Sequence, residues 1–116
     1  MKTLTIDVRT LADALADAAQ AMETLAPSPS DPRISFETPE LLWAVLTAKR
    51  WEILRTMAGA DALSLREVAR RVGRDVKAVH GDVRALLNAG LIDKTGEGKI
   101  IFPYDAVHVD FMLKAA

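Results

Sequence analysis

The stretch Ser64-Leu-Arg-Glu-Val-Ala-Arg-Arg-Val-Gly-Arg-Asp-Val-Lys-Ala-Val-His-Gly-Asp-Val-Arg-Ala-Leu-Leu-Asn-Ala-Gly-Leu-Ile92 decides the fold. Ser64 followed three residues later by Glu67 is a capping box, so a helix should begin at Leu65. Leu65, Val68, Ala69 and Val72 keep the spacing of one buried helical face. Gly73 should end that helix, because glycine enters the left-handed conformation without steric cost. Asp75 then caps a second helix, with Val76, Val79, Val83, Leu86, Leu87 and Gly90 on its inner side. Two short helices across a tight turn are the sequence form of a helix-turn-helix.

The opposite face of the second helix carries Lys77, Ala78, Gly81, Arg84, Ala85 and Asn88, flanked by His80, with Arg74 in the turn before it. Cations there can neutralise phosphates, and small residues let a helix sit deep in the major groove, roughly 12 Å wide. A glycine in mid-helix costs about 1 kcal/mol relative to alanine, so Gly81 calls for a reason. Close approach to DNA is one; tight helix packing is the other. Beyond the helix, Leu91-Ile-Asp-Lys94 and Lys99-Ile-Ile-Phe102 flank a Gly-containing loop and predict a β-hairpin. Lys94 and Lys99 near its tip would reach phosphates, although Glu97 at the tip opposes them. The candidate DNA-binding set is therefore Arg74, Lys77, Ala78, His80, Gly81, Arg84, Lys94 and Lys99.

This order of helix, Ala-x-x-x-Gly turn, helix, Asn-Ala-Gly-Leu-Ile and hairpin resembles the winged-helix regulators of prokaryotes, the MarR-like and ArsR-like group. Ala69, Gly73 and Val79 match the usual skeleton. Asp82 departs from it, standing where an apolar residue is common, with Val83 taking that role one place later. The whole chain also resembles a family of small DNA-binding proteins of bacteria and archaea. Leu4-Thr-Ile-Asp-Val8, Ile34-Ser-Phe-Glu37, Leu46 to Leu54, Val79-His-Gly-Asp-Val83 and Pro103 to Phe111 carry that likeness. Some members of the group look like antitoxins. The resemblance implies a winged helix that binds double-stranded DNA, with a toxin as an alternative protein partner.

Composition narrows the classes. The chain has 116 residues, half of them hydrophobic, and no cysteine, so disulfides, thiolate metal sites and cysteine nucleophiles are excluded. No run approaches a membrane span or a signal-peptide core, and a cytoplasmic protein is expected. The net charge of −1 argues against an indiscriminate nucleic-acid coat. Charge is nonetheless segregated: residues 1–40 hold three cations and seven anions, residues 64–99 eight cations and five anions. A local basic patch suits site-selective binding.

Leu4, Ile6 and Val8 alternate with polar residues and predict a strand. Thr10 with Asp13 caps a helix running to about Leu25, on which Leu11, Leu15, Ala18, Met22 and Leu25 make a heptad-like seam. Two heptads are too short to stand alone, so the seam must pack on its own domain, a second copy or a partner. Ala26-Pro-Ser-Pro-Ser-Asp-Pro32 reads as a linker. Arg33-Ile-Ser-Phe36 predicts a strand. Thr38 with Pro39 starts a short helix, and Thr47 caps the next, whose core stripe is Trp51, Leu54, Met57 and Ala58. Trp43 and Trp51 are expected in the core; Lys49, Arg50 and Arg55 are expected in solvent, with Arg50 a further phosphate candidate. Val107, Val109, Phe111 and Leu113 predict a tail strand that pairs with Ile34-Ser-Phe36, within or between subunits.

No P-loop, Gly-x-Ser-x-Gly or dinucleotide fingerprint occurs, and an enzyme or cofactor protein is not expected. Asp105, His108 and Asp110 form the one cluster with metal-ligand residue types, and they read as a polar strand face. The expected architecture is mainly α with a small β-sheet: residues 1–26 an N-terminal strand-helix appendage for dimer or partner contacts, 27–33 a Pro/Ser linker, and 34–116 a winged helix-turn-helix. The expected function is a homodimeric, sequence-selective DNA-binding regulator that represses its own promoter. The alternative is an antitoxin-like module that neutralises a toxin through its N-terminal helix.

Overall fold

The computed structural model describes residues 2–13, 15–16, 19 and 32–111. The chain runs β1 (Thr3–Val8), β2 (Arg33–Phe36), α1 (Pro39–Val45), α2 (Ala48–Met57), α3 (Leu65–Val72), α4 (Val76–Asn88), β3 (Asp93–Lys94), β4 (Ile100–Ile101) and β5 (Ala106–Asp110). Leu11–Asp13, Leu15, Ala16 and Ala19 are also helical. Helices and two small sheets therefore share one core.

Each helix starts where its cap predicts. Thr38, Thr47 and Ser64 each place a hydroxyl under the amide three residues on, at 3.2, 3.3 and 3.1 Å. Asp75 accepts from the Lys77 amide at 3.2 Å. At Thr10 the box is reciprocal: its Oγ1 accepts from the Asp13 amide, and Asp13 Oδ2 accepts from the Thr10 amide. The Ser64 box is only half made, because the Glu67 carboxylate turns to Arg70 and Arg71. Gly73 ends α3 at φ +68°, and the Arg74 amide reaches back to the Ala69 carbonyl at 3.1 Å. That geometry sets the direction of α4.

α2, α3 and α4 pack on one another around Ile53, Leu54, Met57, Val68, Ala69, Val79, Val83 and Leu86. Ile53 is fully buried, so the apolar face of α2 is wider than its expected stripe. Leu91, Ile92, Ile100 and Phe102 close the core beneath the antiparallel pair β3–β4. The Leu63 and Ile100 backbones bond each other in both directions at 2.8 Å, tying that hairpin to the segment before α3.

Three expectations need correcting. The first strand belongs to no appendage: β1 is the middle of a parallel sheet ordered β2-β1-β5, with Leu4 and Ile6 buried in the common core. A parallel neighbour requires a crossover rather than a hairpin, and residues 9–32 make that connection. The tail strand pairs with β1, not with Ile34–Phe36, because both edge strands share the central one. The expected strand Arg33–Phe36 is β2, so the linker bound of 33 runs one residue too far: Arg33 opens the strand and donates to the buried Asp7 at 2.7 Å. The remaining linker positions, apart from Pro32, lie outside the described residues, as does Leu113.

Trp43 also departs from expectation. It is 55% exposed on α1 and makes a T-shaped contact with Phe111, ring centroids 5.6 Å apart, whereas Trp51 is half-buried. The α1 helix has a single fully buried residue, Leu42, with Val45 half-buried against the core, while Leu41, Trp43 and Ala44 face outward. Among the described residues, no helix is long and apolar enough to cross a membrane.

Candidate nucleic-acid interface

The outer face of α4 is open. Lys77, Ala78, His80, Gly81, Arg84 and Asn88 are all exposed, while Val79, Val83 and Leu86 hold the inner face in the core. The hairpin β3–β4 lies alongside. His80 and Arg84 line one wall of a groove whose other wall includes Lys94 and Gly98, with Leu65, Val83, Leu87 and Ile100 beneath. Helix and hairpin thus present three of the expected basic or titratable side chains to one depression. Lys99 is exposed but does not line it; its amide donates to the Thr95 hydroxyl at 3.1 Å, which pins the hairpin loop.

Gly81 answers one of the questions its position raises. A Cβ built on it meets nothing within 4 Å, so no packing contact among the described residues requires the missing side chain. Tight packing among the described residues is not the reason for this glycine.

Arg74 does not behave as a backbone anchor. Its side chain is 18% exposed and turns inward, with Nη2 donating to Asp82 Oδ2 at 2.8 Å. The other Asp82 oxygen accepts from Arg50 Nε at 3.0 Å. Arg50 Nη1 goes on to the Ala44 and Val45 carbonyls, both at 3.2 Å, at the C-terminal end of α1. One carboxylate therefore ties α1, α2, the turn and α4 into a clamp behind the exposed face. Arg50 is correspondingly 22% exposed, neither solvated nor directed at a phosphate. Asp82 is the residue that sequence reasoning undervalued. The available signal was an acid at a helix position where an apolar side chain is expected.

Burial pushes the Asp82 carboxyl up, but hydrogen bonds from Arg74 and Arg50, with their charges, outweigh it and hold the group below its ordinary value of 3.8. A carboxylate depressed in the folded state stabilises it above the unfolded pKa, and that contribution fades as pH falls through the folded value. Glu67 is also held low, first by its hydrogen bond to Arg70. The stability difference between the wild type and Asp82→Asn isolates the clamp, since Glu67 is common to both. Thermal melts should show that difference constant from pH 7 to about 5 and shrinking below the ordinary value. A difference that grows on acidification would contradict the clamp.

Of the predicted seam, Leu11 and Leu15 are exposed, at 68% and 61%. Ala18, Met22 and Leu25 lie outside the described residues. Among the described residues, no group of three or more His, Cys, Asp or Glu side chains could hold a metal ion, and Asp105, His108 and Asp110 do not converge.

The model of the HVO_A0114 family matches residues 45–109. That span is more than half of the chain. The protein belongs to the HVO_A0114 family. No match was found among curated proteins. The span matched by the HVO_A0114 family starts at the last residue of α1 and takes in α2 to α4, the hairpin and β5 up to Val109. The Asp82 clamp and the exposed face of α4 both lie within it, with the sole exception of the Ala44 carbonyl.

Proposed function

We propose that the protein is a winged-helix regulator that binds double-stranded DNA in a sequence-selective way, as a homodimer that represses its own promoter. The observation that carries this reading is the outer face of α4, where cations flank a glycine that no packing among the described residues requires. In this reading α4 enters the major groove, with Lys77 and Arg84 at phosphates and base edges. His80 and Lys94 address the backbone from the groove between helix and hairpin, and Lys99 adds a contact from the hairpin. The Asp82 clamp supports it from behind, since base readout needs a rigidly held helix. Arg74 serves that clamp rather than a phosphate. The toxin-binding alternative draws on Leu11 and Leu15, which serve a dimer equally well.

Gly81→Ala separates the two demands on α4. On the free protein it should raise stability by about 0.5–1 kcal/mol, because helix propensity rises and the added methyl meets open space. On DNA it should weaken binding, because the methyl occupies the approach surface. Opposite signs in a melt and in a titration are the expected result. Unchanged affinity would remove close approach as the reason for the glycine.

The direct test is fluorescence anisotropy on the gene's own upstream duplex and on a scrambled duplex across a salt series. Tight, sequence-dependent binding should weaken with salt at a log–log slope of about 0.9 per phosphate contact. Equal and feeble binding to both duplexes would reduce α4 to a scaffold element.

A further inference from the structure

The chain has two histidines, and they stand in different settings. His108 is exposed on β5, level with Thr5 in the parallel sheet. His80 is exposed on the outer face of α4 and lines the groove between that helix and the hairpin. Imidazole is the one side chain whose ordinary pKa lies between pH 5 and 8, so a histidine on a binding surface can couple binding to protons. The charges around it decide in which direction.

Those charges are of one sign. On α4 itself Lys77 precedes His80 by three residues and Arg84 follows it by four, so all three share one exposed face. Across the groove the hairpin presents Lys94, and α3 brings Leu65, which carries no charge. Among the described residues, no carboxylate lines the groove. The nearby acids are directed elsewhere. Asp82 lies between Arg74 and Arg50, Glu67 accepts from Arg70, and Asp75 caps α4 through the Lys77 amide. Asp93 and Glu97 belong to the hairpin but do not line the groove.

A protonated imidazole offers two N–H donors and a neutral one only one. An anion within about 4–6 Å favours the protonated form. In this groove a phosphodiester held by Arg84 and Lys94 would be that anion, and the ring would meet it with both charge and a donor.

We propose that His80 makes DNA binding proton-linked: its imidazolium is the form that holds a backbone phosphate, and the ring takes up a proton from solvent as the duplex binds. This linkage rests on the reading of α4 as a DNA-binding helix and adds a regulation by pH to it. A histidine that gains an anionic partner on binding contributes affinity that is complete below its pKa in the free protein. That contribution is lost as pH rises through its pKa in the complex. Affinity for DNA therefore rises on acidification. Arg84 and Lys94 cannot produce the effect, because their charge is constant over this range.

Fluorescence anisotropy on the upstream duplex, at constant ionic strength from about pH 8 to about pH 5.5, reads the effect directly. Wild-type affinity should rise roughly 10-fold on acidification, the change expected for a ring whose pKa is about one higher in the complex. His80→Gln and His80→Arg should both flatten the profile, the first because its amide stays neutral and the second because its charge is permanent. His108→Gln should leave the profile as steep as in the wild type. Both positions are exposed, so circular dichroism should show each variant folded.

Calorimetry at about pH 6.5 in two buffers of different ionisation heat gives an independent readout. The wild type should take up a fraction of a proton on binding DNA, and His80→Gln none. A pH-flat affinity in the wild type, or a slope that survives His80→Gln, overturns the linkage and leaves the regulator standing. Equal and feeble binding to the upstream and scrambled duplexes at every pH overturns the regulator reading, and the linkage falls with it.

Discussion

Asp82→Ala should lower the unfolding free energy by about 2–4 kcal/mol, the range for stripping one partner from a largely buried ion pair, reduced for its partial exposure. At this chain length that is a drop in melting temperature of roughly 10–20 °C. The size follows from what is left behind. Arg50 and Arg74 are 22% and 18% exposed and would lose their shared counter-ion. Arg74 already has one buried nitrogen, Nη1, with no hydrogen-bond partner. Removing all three charges together, as Arg50→Met, Arg74→Met and Asp82→Leu, should recover most of the loss, because apolar replacement of a whole buried ion cluster is often close to neutral. Chemical denaturation of the wild type, Asp82→Ala and the triple variant measures both numbers. A loss under about 0.5 kcal/mol for Asp82→Ala, the scale of an ordinary surface substitution, would mean that the clamp does not hold the helices.

Arg84→Ala carries the largest expected effect on recognition. If its guanidinium reads a base edge, specific affinity should fall by about 1–3 kcal/mol while binding to the scrambled duplex changes little. Lys77→Ala should act differently: if Lys77 meets a phosphate, as proposed, that contact is lost on every sequence, so both affinities fall together and the salt slope drops by about one. Both residues are exposed on α4, so neither substitution should move the melting temperature appreciably. Unchanged specific affinity for Arg84→Ala would remove it from the interface and leave readout to other residues on the face.

The central helices were legible because their signals are local. Ser64 and Asp75 cap, Gly73 turns, and Val68, Ala69, Val79 and Val83 repeat at helical spacing. Each acts over a few residues, and each sits in the structure where its spacing places it. The exposed face of α4 was legible for the same reason, as the complement of its buried face. Arg50 and Arg74 were misjudged because a guanidinium's fate depends on what lies across the chain. Their common partner is 32 residues from Arg50 and 8 from Arg74. Trp43 was misjudged because aromatic character favours burial only where another element arrives to cover it.

The sequence by itself determined where the described helices begin, that Gly73 ends α3, which side of α4 faces inward, and that a hairpin follows it. Those outcomes rest on backbone capping, glycine geometry and side-chain periodicity, which are properties of neighbouring residues. Only the tertiary structure decided that β1 is a central parallel strand, that β5 joins it rather than β2, and that Asp82 gathers two arginines. Strand order and ion pairing are settled by which distant surfaces can be buried together, and alternation along a strand gives its faces without naming its neighbours.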